Sequence, residues 1–132
     1  MASQLKVDTI TGVTTAGSIA VTGEGNSTTT NLQQGLAKAW ACQSTHGGSF
    51  NDSYNYSSAT DTASGKTTYA FSNNFANADY AACNTHYNRA AGPSDAAHHT
   101  TSQHQCDWFS ASAGAVADIN TDASTQVCGD LA

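Results

Sequence analysis

The sequence is poor in the residues that most soluble proteins use for charge and for core packing. Charged residues make up 11% of the 132 residues, against roughly 25% in an average soluble protein, and Leu, Ile, Val and Phe together number only 16. Eleven aromatic residues in alternating patterns and the low charge density argue against disorder. So few large aliphatic residues predict a thin core, and we therefore expect an obligate oligomer.

The scarcity of cations and of apolar runs excludes two classes of partner. Lys6, Lys38, Lys66 and Arg89 are the only basic residues besides histidine, and the net charge is −6, so the electrostatic footprint of a nucleic-acid-binding protein is missing. No apolar run is long enough to span a membrane, and the first residues lack the apolar core of a signal peptide. We expect neither nucleic-acid binding nor membrane insertion.

Catalytic motifs are missing as well. The sequence contains no nucleophile elbow, no phosphate-binding loop and no metalloprotease helix. Glu24 is the only glutamate, which leaves few candidates for the paired carboxylates of a glycoside-cleaving enzyme. We predict a protein that is not an enzyme and that needs no cofactor.

Hydrophobic periodicity predicts an all-β chain in three parts. Short period-two segments separated by glycines fill residues 1–25, and they predict a β arm that pairs with sister subunits or docks into a larger assembly. Residues 26–40 predict a short linker helix, where Leu32 and Leu36 form an apolar stripe that needs the chain's own head or a neighbouring subunit as partner. Residues 41–132 contain six or seven candidate strands, which predict a β-sandwich-like or trimeric β knob.

Turn and loop signals make the prediction for the head more specific. Phe50–Ser58 predicts one strand, Thr60–Gly65 a turn, and Lys66–Phe71 a return strand. Asn88–Thr100 has no hydrophobic period and contains the only proline, so we expect an exposed loop at the distal tip of the head.

Several segments together resemble a known class of proteins. These are Leu5-Lys-Val-Asp-Thr-Ile10, the glycine-bounded stretch Gly12–Gly23, Asn31–Trp40, Asn51–Ser58 and Phe75–Tyr80. They are similar to the small tail-fibre and virion structural proteins of tailed bacteriophages, especially marine ones. The resemblance covers roughly residues 3–82, and the chain departs from that pattern from Cys83 onward.

The resemblance implies a homotrimer in which a virion-attaching stem precedes a knob that contacts the host. Its function would be that of a tail-fibre or spike component that adheres to a host-surface glycan or protein. The alternative is a capsid decoration protein, either a cement protein or a head fibre, that binds other virion proteins through its arm. In the first case the chain would reside in the virion tail after assembly in the host cytoplasm.

Candidate contact residues follow from aromatic character, from the distal loop and from the apolar stripes. Exposed aromatic rings can stack on a receptor, and histidines in a tip loop titrate near neutrality. The candidates for host binding are Tyr54, Tyr56, Tyr87, Arg89, His98, His99 and Trp108. The candidates for oligomerisation are Leu5, Val7, Ile10, Leu32, Leu36 and Trp40.

The cysteines and one histidine form the remaining constellation. On a strand, His104 and Cys106 would point to the same face and could bind a soft divalent ion, although no paired zinc knuckle is present. A virion works outside the cell, which favours disulfides, but it assembles in a reducing cytosol, so buried free thiols remain the alternative. The disulfide candidates are Cys42, Cys83, Cys106 and Cys128.

Overall fold

The structure, a computed structural model, is all-β and comprises two compact units, Met1–Gly35 and Leu36–Ala132. It describes residues 5–12, 19–22, 29–86, 89–93, 98–110, 116–118 and 122–131. In the first unit, strand β1 (Ala20–Thr22) pairs antiparallel with β2 (Thr29–Asn31), and a single helical turn, α1 (Leu32–Gly35), follows. The Leu32 amide donates a hydrogen bond of 2.8 Å to the Ile19 carbonyl, which closes this small ribbon.

The second unit consists of two antiparallel four-stranded sheets. The first sheet has the order β4 (Phe50–Tyr54), β3 (Ala37–Gln43), β10 (Ala123–Cys128) and β7 (Ala81–His86). The second sheet has the order β5 (Tyr56–Ala63), β6 (Lys66–Phe71), β9 (Gln103–Ser110) and β8 (Arg89–Pro93). Their inner faces share one buried cluster, so the predicted β-rich head is confirmed as a two-layer arrangement.

The two inner faces are unequal in residue size, which explains how a chain with few aliphatics builds a core. Buried positions alternate with more exposed ones along β6 and β10, as a sheet with one covered face requires. The first sheet contributes the small residues Ala39, Ala41, Ala123, Thr125 and Val127, and the second contributes Tyr56, Tyr69, Phe71, His104, Cys106 and Trp108. Large rings therefore fill the space left by small side chains, and aromatic area replaces aliphatic area.

Asn55 turns the chain from the first sheet into the second. Its φ of 59° lies in the left-handed region, which asparagine tolerates better than most residues. Its side chain forms two hydrogen bonds with the backbone of Asn73, as a neighbouring strand would. Oδ1 accepts from the Asn73 amide at 2.7 Å, and Nδ2 donates to the Asn73 carbonyl at 3.1 Å. The predicted single strand Phe50–Ser58 is therefore wrong, since β4 and β5 belong to different sheets.

The predicted helix is also wrong over most of its length. Helical geometry is limited to α1, while Ala37–Trp40 lies in β3. Ala and Lys favour helices intrinsically, but β3 is an interior strand that pairs with β4 on one side and with β10 on the other. Two ladders of backbone hydrogen bonds and the burial of Ala39 outweigh that preference. Leu5–Ile10, expected as a strand, forms none in the part of the arm that the structure describes.

Two predicted loops are shorter than expected. Asn88–Thr100 contains β8, which pairs with β9 in a register that sets Ala91 opposite Trp108. Small residues without a period can form such a strand because the ladder uses only their backbone. Likewise β5 continues to Ala63, and the turn is only Ser64–Gly65, where Gly65 has a φ of 69° and a Cβ would collide with the Ala117 backbone.

Candidate functional site

The outer face of the first sheet carries a patch formed by two rows of side chains. Strand register places Tyr54, Trp40, Gln126 and Cys83 in one row and Asp52, Cys42, Ser124 and Thr85 in the next. These positions alternate with the buried ones on β3 and β10, so all of them point away from the core. We call these eight residues the outer patch.

Two aromatic side chains dominate one end of the outer patch. Trp40 and Tyr54 are directly opposite each other on antiparallel strands, and they are 38% and 52% exposed. Side chains on directly opposed positions have Cβ atoms about 5 Å apart. Both rings are therefore exposed on the same face of the sheet, whereas most of the large aromatic residues of this sandwich are buried.

Polar groups and a shallow depression adjoin this aromatic pair. The depression has a volume of about 320 Å³ and is lined by Trp40, Cys42, Cys83, Thr85, Ser124 and Gln126, with Ala41 and Thr125. The Cys42 thiol and the Ser124 hydroxyl are 3.0 Å apart and hydrogen-bonded. Amide, hydroxyl and carboxylate groups beside exposed rings can bind a ligand that has both an apolar face and hydroxyl groups.

Comparison with protein-family models, with curated proteins and with solved structures found no match. The resemblance to virion proteins therefore stays a prediction. Within the described residues, no helix is long and apolar enough to cross a membrane.

The predicted host-binding aromatic residues differ in their exposure. Tyr54 is exposed as expected, but Tyr56 and Trp108 are buried, at 6% and 0% exposure, so they cannot offer a free ring face. The Trp108 indole nitrogen donates a hydrogen bond of 3.0 Å to the Thr67 hydroxyl inside the core. Tyr87 lies outside the described residues.

Positions 88 and 94–97 of the predicted tip loop lie outside the described residues, and the predicted contact residues that are described do not lie on an exposed loop. Arg89 begins β8, and its side chain is outside the described part of the chain. His98 and His99 are only partly exposed, and the His99 ring stacks on Tyr80 with centroids 5.3 Å apart and planes at 12°. The Tyr80 hydroxyl contacts the Thr100 and Gln103 carbonyls at 3.1 and 2.9 Å, and its burial raises its pKa to about 12.

His104 and Cys106 share a face of β9 as predicted, but that face is the core. The two ring nitrogens of His104 are hydrogen-bonded, Nδ1 to the Tyr56 hydroxyl at 3.3 Å and Nε2 to the Thr125 hydroxyl at 3.2 Å. Burial lowers the pKa of His104 to about 3, so the ring is neutral, and burial raises the pKa of the Cys106 thiol. Neither ring nitrogen can bind a metal ion without losing a hydrogen bond, and the described residues contain no cluster of three potential ligands.

The four cysteines are free thiols in this structure. Cys42 and Cys83 are exposed on the outer patch, Cys128 is partly exposed, and Cys106 is buried. Strands β3 and β7 lie on either side of β10, and Cys42 and Cys83 belong to different rows of the outer patch. Their backbones are therefore more than about 9.5 Å apart, beyond the reach of a disulfide. The structure contains none of the predicted disulfides and is consistent with the alternative of free thiols.

The predicted oligomerisation residues are mostly exposed. Leu5, Val7, Ile10 and Leu36 are each more than half exposed, Trp40 is exposed on the outer patch, and Leu32 is partly buried. Sequence reasoning missed Asp52, Thr85, Ser124 and Gln126 as neighbours of Trp40. Their alternation within each strand was visible, but the strand order that brings them together was not.

Proposed function

We propose that this chain is a structural protein of a tailed-phage virion that adheres to carbohydrate on the host-cell surface. The single observation that carries the adhesive role is the exposed Trp40–Tyr54 pair, which lies beside the hydroxyl and amide groups of the outer patch. Sugar rings have apolar C–H faces and polar edges, and an aromatic pair flanked by hydrogen-bonding groups is complementary to both. The virion context comes from the resemblance of residues 3–82 to tail-fibre proteins.

The arm supports the virion context. Leu5, Val7 and Ile10 are 81%, 54% and 58% exposed, and such side chains gain most by burial against another protein. We propose that residues 1–25 attach the protein to other virion proteins and that three copies form the assembled unit. Capsid decoration would use the same arm, and the two roles differ in copy number, since a fibre is present in a few copies and a decoration protein in hundreds.

Binding of the full-length chain to an array of host-surface glycans tests the adhesive role. Trp40→Ala and Tyr54→Ala should each reduce binding at least tenfold, because each removes one ring of the stacking surface, whereas Trp40→Phe should retain most of it. Asn51→Ala, on the same strand as Tyr54 and also exposed, is the matched control and should bind normally. Normal glycan binding by both alanine variants would refute the role of the outer patch.

A further inference from the structure

A second concave site lies at one side of the sandwich, where an edge strand of the first sheet is next to an edge strand of the second. Strand β4 ends the first sheet and β5 ends the second. Between them is a cleft of about 420 Å³, lined by Gly47, Gly48, Ser49 and Phe50 on one wall and by Ser57, Ser58 and Ala59 on the other. We call this the edge cleft; it is separate from the outer patch and shares no residue with it.

The loop wall of the edge cleft is held in place by close contacts. Gly47 has a φ of 58°, and a Cβ there would collide with the Asp61 backbone, so the loop lies directly against β5. His46 is nearly buried, and its Nδ1 lies 3.3 Å from Asp61 Oδ2 and 3.5 Å from Asp118 Oδ1. Neither contact has hydrogen-bond geometry, and both carboxylates are more than half exposed, so the close approach of Gly47 to β5 is what positions the loop.

Phe50 is the one ring among the described residues that lines the edge cleft, and two buried residues with unpartnered polar groups are neighbours of its lining residues. Phe50 is partly buried and stacks on Tyr69, with centroids 6.4 Å apart and planes at 15°. The Tyr69 hydroxyl and both amide atoms of Gln43 are buried and have no hydrogen-bond partner within the described residues. Gln43 is directly opposite Phe50 on the paired strand, and Tyr69 is directly opposite Ala59. Both residues with unpartnered groups are therefore neighbours of cleft-lining residues. Buried polar groups without partners are rare, but neither residue lines the cleft, so a ligand there would contact Phe50 and not these groups.

The shape and charge of the edge cleft restrict what can bind there. As an end strand, β5 has backbone N–H and C=O groups on its open side that no strand among the described residues pairs with. An added peptide strand is disfavoured, because the ladder shifts register near Tyr56–Ser58 and again near Asp61–Ala63, and the Gly47 loop covers the edge at Asp61. No lining residue is charged, and the whole chain carries −6, which disfavours an anion.

We propose that the edge cleft binds one neutral pyranose ring. The Phe50 side chain would contact a C–H face of the sugar, while the Ser49 and Ser58 hydroxyls and the open backbone groups of β5 would bind its hydroxyls. A volume of about 420 Å³ lies within the range of small-molecule sites. This site does not depend on the outer patch, and it gives the head a second contact with carbohydrate.

Titration of the full-length, isotope-labelled chain with methyl glycosides, followed by amide NMR, tests this proposal. The ligands are the methyl α-pyranosides of glucose, mannose and galactose, with methyl glucuronide as a charged match for the glucoside. At least one neutral glycoside should shift the amides of residues 47–50 and 57–59 saturably, and the glucuronide should bind at least fivefold more weakly. The absence of saturable shifts with all three neutral glycosides would overturn the proposal.

Variants place the ligand in the edge cleft. Ser58→Trp and, from the loop wall, Ser49→Trp should each weaken binding more than tenfold by filling the cleft. Thr60→Trp, an exposed position on the same strand outside the lining, should leave binding within twofold. Trp40→Ala should also leave these shifts unchanged, so that failure of the outer patch and failure of the edge cleft are distinguishable. Undiminished binding in both filling variants would contradict the assignment.

Discussion

The imidazole Nε2 of His104 and the hydroxyl of Thr125 are 3.2 Å apart and form a hydrogen bond that joins the two sheets through the core. His104 belongs to β9 in the second sheet and Thr125 to β10 in the first. The contact is buried, and the other ring nitrogen bonds Tyr56. The core is therefore held by one directional polar network in addition to aromatic packing, and such a network has pH-dependent stability.

We expect the free energy of unfolding to fall in acid because of His104. Its pKa is about 3 in the folded chain against 6.5 for an ordinary histidine, so between these values the unfolded chain binds a proton that the folded chain excludes. The contribution is complete above pH 6.5 and is lost by about 1.4 kcal/mol per pH unit as the pH falls towards 3. Urea unfolding at pH 7, 5.5 and 4 measures it.

The variant His104→Phe provides the control for this acid sensitivity. It should be less stable at pH 7, since the Tyr56 and Thr125 hydroxyls lose a partner, yet it should lose less stability between pH 7 and 4 than the parent chain. If the free energy of unfolding falls equally with pH in the two proteins, the acid sensitivity belongs to other groups.

Removing the hydroxyl of Thr125 should destabilise the sandwich at neutral pH. Thr125→Val leaves one buried ring nitrogen of His104 without its partner, and we expect a loss of about 1–3 kcal/mol. Thr85→Val on the exposed face of the same sheet should change stability by less than about 0.5 kcal/mol. Thermal or urea unfolding compares the two, and equal effects would show that the inter-sheet bond has no special value.

The corner residue Asn55 should show a backbone effect that is separable from its hydrogen bonds. Both Asn55→Gly and Asn55→Ala lose the side-chain bonds to Asn73, but only glycine adopts a φ near 59° without strain. Asn55→Ala should therefore be less stable than Asn55→Gly by about 1 kcal/mol. If the alanine variant is the more stable one, the positive φ has no energetic consequence.

The four thiols should differ in reactivity according to their burial. In the folded protein a maleimide should modify Cys42 and Cys83 quickly and Cys128 more slowly, whereas Cys106 should resist until the chain is unfolded in urea, since burial raises its pKa. Peptide mass spectrometry after timed labelling identifies the modified sites. Early labelling of Cys106 would contradict its place in the core.

Leu36 is half exposed on the isolated chain, and we expect it to contact a neighbouring subunit in a homotrimer. Leu36→Asp should reduce the mass measured by light scattering from that of a trimer to that of a monomer, because an unpaired charge in an apolar interface is costly. Val116→Asp, at a similarly exposed position, is the control and should remain trimeric. A parent chain that is itself a stable monomer would refute the trimer.

The sequence was most informative where its alternation was regular, and least informative where tertiary pairing decided the outcome. The period-two pattern around His104, Cys106 and Trp108 correctly placed these residues on one face, but it could not tell which face is inward. That choice depends on the small residues of β10 that lie opposite them. The exposure predicted for Trp108 failed for this reason.

Chain direction changes were harder to predict than strands. Phe50–Ser58 has one continuous pattern, and only the positive φ of Asn55 divides it between two sheets. The residues just before Trp40 favour a helix intrinsically, yet two flanking strands make β3 an interior strand. The outer patch could not be predicted, since it requires the order of four strands that are distant in sequence.

On the first sheet, one face packs against the core and the other is exposed, and this separation has an evolutionary consequence. Along β3 and β10, the buried residues that face the aromatic layer are small apart from Gln43, and the positions between them point away from that layer. Substitutions at positions 40, 42, 124 and 126 can therefore change the outer patch while the fold persists. Under the proposed adhesive role, a lineage that meets changing host receptors would diversify these positions, while the inner residues would stay fixed.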